Sequence, residues 1–177
     1  MAEIPEQLFC REINKEDSSS GFSLDSSEYT PLKIFLRKQA VKFHDQNVTK
    51  TYVLSSNKEK GRIWGYCSLN CSEIDLGKDS KFHPYTHLPA IKLTRLAIDH
   101  RLQKKGLGKQ LVQHGLSIAK DIIMKKVGCR FLLVDSKPNA ISFYEKLGFI
   151  EVPGIQPKKT TALIFDLSSE IPSDYSN

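Results

Sequence analysis

The stretch Leu93-Thr-Arg-Leu-Ala-Ile-Asp-His-Arg-Leu-Gln-Lys-Lys-Gly-Leu-Gly-Lys109, which runs directly into Gln110–Lys126, decides the fold. Ala90–Ile98 is apolar and partly β-branched, which predicts a buried strand. Gly106 and Gly108 then offer backbone that can turn sharply and approach a ligand with no Cβ in the way. Beyond them Leu107, Leu111, Gly115, Ile118, Ala119, Ile122 and Ile123 fall at helical spacing, so the glycines sit at a helix N-terminus. Unsatisfied N–H groups and the positive end of the helix dipole converge there, making a ready anion site. Arg101, Lys104, Lys105 and Lys109 add positive charge to the same turn. The turn is suited to a phosphorylated group.

Two common phosphate loops do not fit it. A P-loop needs G-x-x-x-x-G-K-[ST], but Gly108-Lys109 is followed by Gln110 and preceded at the required distance by Gln103. A dinucleotide fingerprint needs a third glycine, which is missing. What remains is Gln103-x-x-Gly106-x-Gly108.

The chain of 177 residues, 40% hydrophobic and 26% charged, is long enough for one domain with a real core. No run of about 18 apolar residues predicts a membrane span. Met1–Phe9 carries two glutamates and lacks the basic start and apolar middle of a secretory signal. Cys10, Cys67, Cys71 and Cys129 are scattered without a C-x-x-C pair, which argues against a zinc site or a disulfide framework; no metal is expected. Cys67-x-x-x-Cys71 with His83 and His87 is the weak exception. Reduced thiols in a cytoplasmic protein are the better inference. Charge is uneven: residues 1–30 hold seven acids against two bases, so the rest of the chain carries +11. A basic body of this kind favours a polyanionic partner, nucleic acid first, against the plain alternative of solvated lysines.

In chain order, Glu6–Lys15 reads as an edge strand and Glu16–Ser27 as a Ser- and Asp-rich loop. Thr30 and Pro31 mark a helix start. Leu32, Phe35, Leu36, Gln39, Ala40 and Phe43 form one face of that helix, with Lys33, Arg37, Lys38 and Lys42 mostly off it. Lys50–Ser55 and Arg62–Leu69 read as a hairpin. Trp64 and Tyr66 alternate with Gly65 and Cys67, so one side is expected to pack on the core. Asp75–Leu88, with His83, Tyr85 and His87, reads as a long irregular loop. Cys129–Val134 is a strand, Asp135–Ala140 opens a helix around Pro138, and Gly148 is its C-cap. Phe149–Val152 and Thr160–Leu167 close the chain as a strand pair around Pro153-Gly154, leaving 168–177 as a frayed tail. The order is β-α-β-β-β-α-β-α-β-β, with room for a second helix before the hairpin.

Order and motifs together resemble the GNAT superfamily of acetyl-CoA-dependent N-acetyltransferases over nearly the whole chain. Leu96-Ala-Ile-Asp99, Gln103-x-x-Gly106-x-Gly108, Asn139 and Phe143-Tyr-Glu-Lys-Leu-Gly-Phe149 carry the resemblance. It implies a single three-layer α+β domain over residues 1–177, with a mixed sheet of six to seven strands flanked by about four helices. Gly65-Tyr-Cys-Ser-Leu69, Leu88–Asp99 and Leu133-Val-Asp135 are similar to the GNAT toxins of bacterial toxin–antitoxin pairs. Those toxins acetylate the α-amino group of aminoacyl-tRNA and are restrained by a ribbon-helix-helix antitoxin. Lys104 departs from the glycine that many of them carry after the glutamine. The long acidic N-terminus and the loosely matching end, Ala162–Asp166, depart as well.

By that resemblance, backbone N–H groups from Lys104, Lys105, Gly106, Leu107, Gly108 and Lys109 hold the CoA pyrophosphate, with Gln103 opening the motif. Leu96, Ala97 and Ile98 pair with the pantetheine arm, and an N–H on that strand can steady negative charge on the thioester oxygen. Asn139 contacts pantetheine, or simply caps a helix. Tyr144 is the candidate acid for the departing thiolate, or a packed aromatic; Phe143 beside it reads as core. His83, His87 and Asp99 are the candidate bases, although an α-amino group with a pKa of about 7.7–8.0 is partly free at neutral pH. Arg95 and His87 are candidate substrate contacts, Arg95 alternatively a structural ion-pair partner. Basic residues of the first helix and of Lys120–Arg130 are candidate tRNA contacts. A homodimer is a further partner state to be tested. Two rival functions stay open: acetylation of a small amine, a polyamine or a protein N-terminus, and a non-catalytic nucleic-acid-binding module on the same scaffold.

Overall fold

The computed structural model describes residues 5, 7–78, 84–152 and 159–169. The strands are β1 (Phe9–Glu12), β2 (Lys50–Ser55), β3 (Gly65–Asp75), β4 (His87–Ile98), β5 (Phe131–Ser136), β6 (Ile150–Glu151) and β7 (Thr161–Asp166). The helices are α1 (Thr30–Lys38), α2 (Ala40–Asp45), α3 (Leu107–Ser117) and α4 (Ile141–Glu145). The strands form one mixed sheet in the order β1-β2-β3-β4-β5-β7-β6. β4 and β5 pair in parallel, the arrangement that requires a crossover, and α3 lies in that connection. The expected α+β fold with four helices is the one observed.

The contacts divide the chain into two units. One comprises the residues up to Asn70 together with Arg95–His114; the other comprises Cys71–Thr94 and the residues from Gly115 onward. In the first unit, Lys50↔Leu69 through Leu54↔Gly65 set the hairpin register of β2 and β3. α1 and α2 bury Phe35, Leu36 and Ala40 on one face of these strands, against Val53, Tyr66 and Ala97. Tyr66 stacks on Phe35 at 6.2 Å between centroids and donates its hydroxyl to the Leu32 carbonyl at 2.7 Å, so this buried phenol keeps its hydrogen bond. On the other face, the Cys67 thiol approaches the Leu111 carbonyl of α3 at 3.9 Å and Tyr52 meets His114 edge-on at 4.6 Å. Gly65 fits closely here: a Cβ would stand 2.7 Å from Ile98 Cδ1 and 3.3 Å from the Ala97 carbonyl oxygen, so the neighbours would have to shift.

In the second unit, the parallel register runs from Ala90↔Phe131 to Leu93↔Val134. β7 pairs antiparallel with β5 along its whole length and with β6 at Ile150↔Ile164. Ala90, Phe131, Leu133, Val152 and Ile164 form the core of this unit. Gly148, at φ +80°, ends α4 as expected, with its N–H on the Glu145 carbonyl and the Phe149 N–H on that of Tyr144.

Four expectations are corrected. The hairpin was expected to bury one side only, yet Trp64, Gly65, Tyr66 and Cys67 are all buried, because helices cover both faces of the strands. β3 starts at Gly65 rather than Arg62 and runs to Asp75, and β4 begins at His87, so the loop expected from 75 to 88 is narrower than predicted. The first helix splits at Gln39, whose φ of −128° re-aims the following turn and buries Ala40 and His44. The helix after the glycines stays α-helical only to Ser117. Ile118–Ile123 is π-helical, closed by Met124 N–H to the Ala119 carbonyl. The wider turn breaks the 3.6-residue spacing, which leaves Ile122 exposed although the pattern placed it on the buried face. The Pro153-Gly154 turn, residues 170–177 of the tail and His83 lie outside the described residues.

Candidate active site

Every residue expected at the pyrophosphate falls in one continuous segment of the first unit. β4 ends at Ile98 and Asp99 caps a short 3₁₀ turn, His100–Leu102, through its side chain. Gln103 follows in extended conformation, its side-chain amide donating to the Ile98 carbonyl at 3.3 Å. The Gly106 carbonyl accepts the first bond of α3, from Gln110 N–H at 3.1 Å, so Leu107, Gly108 and Lys109 form the first turn. Gly106 stands at φ +80° with nothing within 4 Å of where a Cβ would be. Open space over a left-handed glycine at the start of an eleven-residue helix is what an anion cradle requires. Lys104 is also left-handed, at φ +61°. A left-handed backbone is one that glycine adopts without a steric cost, so a lysine is an unusual residue here.

Asp99 is not a base. Its carboxylate is fully buried and accepts from Ser23 N–H at 3.0 Å, from Arg101 N–H at 3.1 Å, and from Arg101 Nε and Nη2 at 2.7 and 2.8 Å. Burial raises its pKa, but the hydrogen bonds from Arg101 and Ser23 and the guanidinium charge outweigh burial and hold it below the ordinary carboxylate range. Arg101 also donates to the Gly21 carbonyl at 2.8 Å and lies 5.0 Å from the Trp64 ring, over which Arg62 stacks at 4.1 Å. The Arg101 charge is thus spent on Asp99 rather than on the turn. The sequence reading missed this clamp, which ties residues 21–23 to the segment entering the glycine turn. The adjacency Asp99-His-Arg101 at the end of a strand was its only signal.

Arg95 lies over the Phe35 ring of α1 at 3.8 Å. Among the described residues it forms no ion pair, so the ion-pair alternative is replaced by a cation–π contact. In the second unit, His87 is exposed, with Nδ1 3.0 Å from Thr86 Oγ1 and Nε2 3.9 Å from Asp75. Asn139 is exposed in a 3₁₀ turn, Pro138–Ala140; the cap positions of that turn and of α4 are Lys137 and Ala140, so Asn139 is not a cap residue. Tyr144 is buried in α4, edge-on to Phe143 at 4.9 Å and to Phe149 at 5.5 Å. The expected order of burial is reversed, since Phe143 is only half-buried. Helical rotation turns Tyr144, not Phe143, into the buried side and against Phe149. Cys10, Cys67, Cys71 and Cys129 are free thiols, and no group of three potential metal ligands occurs among the described residues.

The model of the acetyltransferase (GNAT) domain matches residues 48–151, which contain the hairpin, β4, the glycine turn, α3 and α4. The chain belongs to the GNAT acetyltransferases. Solved relatives extend the likeness to about nine-tenths of the chain. A structure of a Tyr-to-Phe variant of KacT is 28% identical, with 92% of this chain covered, 96% of the other and a TM-score of 0.80. AtaT in complex with acetyl-methionyl-tRNA is 27% identical over 90% of this acetyltransferase and 95% of AtaT, with a TM-score of 0.79. A Tyr-to-Phe variant of the AtaT toxin, bound to the C-terminus of the antitoxin AtaR and to acetyl-CoA, is 26% identical over 90% and 93%, with a TM-score of 0.73. This GNAT enzyme is therefore an acyltransferase. No helix among its described residues is long and apolar enough to cross a membrane.

Proposed function

We propose that this enzyme transfers the acetyl group of acetyl-CoA to the α-amino group of an aminoacyl-tRNA, as the toxin of a toxin–antitoxin pair. The observation that carries the reading is the match along nine-tenths of the chain to AtaT holding an acetylated methionyl-tRNA. The +11 charge of residues 31–177 agrees with a nucleic-acid acceptor and disfavours a cationic polyamine. By the same likeness, the C-terminal segment of a small antitoxin is the inhibitory partner.

Each residue then has a task. First-turn N–H groups of α3, with Gln103, Lys104, Lys105 and Gly106 before them, hold the pyrophosphate of acetyl-CoA. The open left-handed Gly106 suits that group. The backbone of Leu96–Ile98 aligns the pantetheine arm, and Asn139 contacts it. Acetyl-CoA supplies an acetyl group already activated as a thioester. An N–H of β4 stabilises negative charge at its carbonyl oxygen, an effect worth about 2.7–4 kcal/mol per donor in other acyl transfers. The free amine forms the new C–N bond, the C–S bond breaks, and the amine loses its proton to water. Tyr144 gives its hydroxyl proton to the departing thiolate and regains one from solvent. Arg95 and His87 are assigned to the acceptor.

Labelled acetyl-CoA incubated with charged tRNA, uncharged tRNA, polyamines and peptides tests the reading. Label on charged tRNA alone, lost in Tyr144→Phe, supports it. Label on a small amine with charged tRNA untouched refutes it while leaving the acetyltransferase intact.

A further inference from the structure

The first unit contains an open pocket of about 520 Å³ that none of these assignments uses. Its wall is the loop between β1 and α1, with Ser18, Ser19, Ser20 and Ser23, and its cations are Lys33 and Arg37 from α1. Lys33 and Arg37 are four residues apart on α1 and so share one face. Both are exposed, and neither forms an ion pair among the described residues. Two carboxylates beside the wall are occupied, Asp17 by Arg11 and Asp99 by Arg101 and Ser23 N–H. The residues that line the pocket thus include four serines and two cations that form no ion pair among the described residues, and no acid.

Its wall is also fixed in place. Ser18 N–H donates to the Gly61 carbonyl at 2.8 Å, Ser20 N–H to Ser18 Oγ at 3.1 Å, and Phe22 N–H to the Ser19 carbonyl at 3.1 Å. Phe22 is buried against Tyr66 at 6.0 Å and anchors the loop from beneath. His100 N–H donates to the Ser23 carbonyl at 2.9 Å, so the Asp99 clamp holds this wall to the segment that enters the glycine turn. Serine hydroxyls and Lys or Arg side chains are the groups that hold nucleic-acid phosphates, and a preformed wall lowers the cost of ordering them.

We propose that this pocket seats backbone phosphates of the nucleic-acid acceptor, with Lys33 and Arg37 supplying the charge and the serine hydroxyls the neutral donors. The inference rests on the tRNA reading above and adds where the RNA backbone is gripped. The grip is independent of base sequence, so it fixes the position of the charged end without selecting the amino acid.

The test compares wild type, the double variant Lys33→Ala with Arg37→Ala, and Lys58→Ala as an exposed cation outside the pocket. Steady-state acetylation of charged tRNA is measured with acetyl-CoA varied separately, and uncharged tRNA binding is measured over a salt series. For the double variant, the expected result is a KM for charged tRNA raised about tenfold, with kcat and the KM for acetyl-CoA unchanged. The slope of log affinity against log salt should fall by about 0.7–0.9 for each phosphate that the protein no longer neutralises. Lys58→Ala should match wild type. A double variant with wild-type KM and salt slope overturns the pocket assignment and leaves the tRNA reading standing. Wild-type protein that never labels charged tRNA overturns both. Saturable binding of inorganic phosphate, abolished by the double variant while its KM for charged tRNA stays at the wild-type value, would mark a site for a free phosphoryl metabolite and also overturn the proposal.

Discussion

Removing the Asp99 carboxylate should destabilise the first unit and loosen the approach to the glycine turn. The carboxylate has no exposed surface, whereas the Arg101 side chain retains 28% of its own. Asp99→Ala therefore orphans the Ser23 N–H and leaves a guanidinium that can partly rehydrate. Breaking a buried pair by deleting one partner costs about 3–5 kcal/mol; the access of Arg101 to water places this case near the lower end, at about 3 kcal/mol. Asp99→Asn keeps the shape and one acceptor but loses the charge in two short bonds, for about 2 kcal/mol. In a chain of this length each kcal/mol lowers Tm by about 2–4 °C, so the alanine variant should melt about 6–12 °C below wild type. The pH dependence provides a second check. The Asp99 pKa is depressed on folding, so its contribution is complete above the unfolded carboxylate value of about 3.9 and disappears as pH falls through the folded value. Urea unfolding at pH 7 and at successively lower pH should show the gap between wild type and variant closing in the acid range. A pH 7 gap below about 0.5 kcal/mol, or one that widens on acidification, would refute the clamp.

Tyr144→Phe keeps both edge-on ring contacts, so stability should change by less than about 1 kcal/mol. Loss of the proton donor should lower kcat about 10²–10⁴-fold at unchanged KM for acetyl-CoA, and retained kcat would remove Tyr144 from the chemistry. Lys104→Gly relieves a left-handed conformation that costs a non-glycine residue about 1–2 kcal/mol, against about 0.5–1 kcal/mol of added glycine chain entropy. It should leave stability equal or slightly higher with acetyl-CoA binding intact; a clear loss in chemical denaturation would show that the lysine side chain matters. Gly65→Ala drives a Cβ against Ile98 Cδ1 and the Ala97 carbonyl and should cost about 1–3 kcal/mol, read as a lowered denaturation midpoint.

The parts of the fold legible in the sequence are those in which one residue type serves one backbone need. Gly106 and Gly148 both stand at φ +80°, and both marked their elements correctly. Pro31 and the apolar spacing of Phe35, Leu36 and Ala40 located the first helical region, but not its break at Gln39, which depends on how Ala40 packs on the sheet. The pattern also could not show that α3 widens into a π-turn, since Ile122 obeys the α-helical spacing that the turn abolishes. Asp99 was one of three candidate bases, because a carboxylate after a strand looks chemically available. Its true partners include Ser23, distant in sequence, and that pairing is invisible without the fold.

The same contrast separates the donor half of the site from the acceptor half. The anion binding proposed at the start of α3 rests on main-chain N–H groups and on space over Gly106, features that large changes of side chain leave in place. Relatives only 26–28% identical superpose over nine-tenths of the chain, and the glycine spacing still locates the turn. Lys104 takes a left-handed conformation that favours glycine, because the path of the chain is set by Asp99, Gln103 and Gly106 around it. The acceptor contacts proposed here rest instead on side chains brought together from separate segments, the serines before α1 and Lys33 and Arg37 on it. No local spacing rule connects those positions. An acetyltransferase built this way can exchange one acceptor for another by altering exposed residues at the first unit's surface while the cofactor turn stays fixed, so membership of the family was easier to read from the sequence than the substrate.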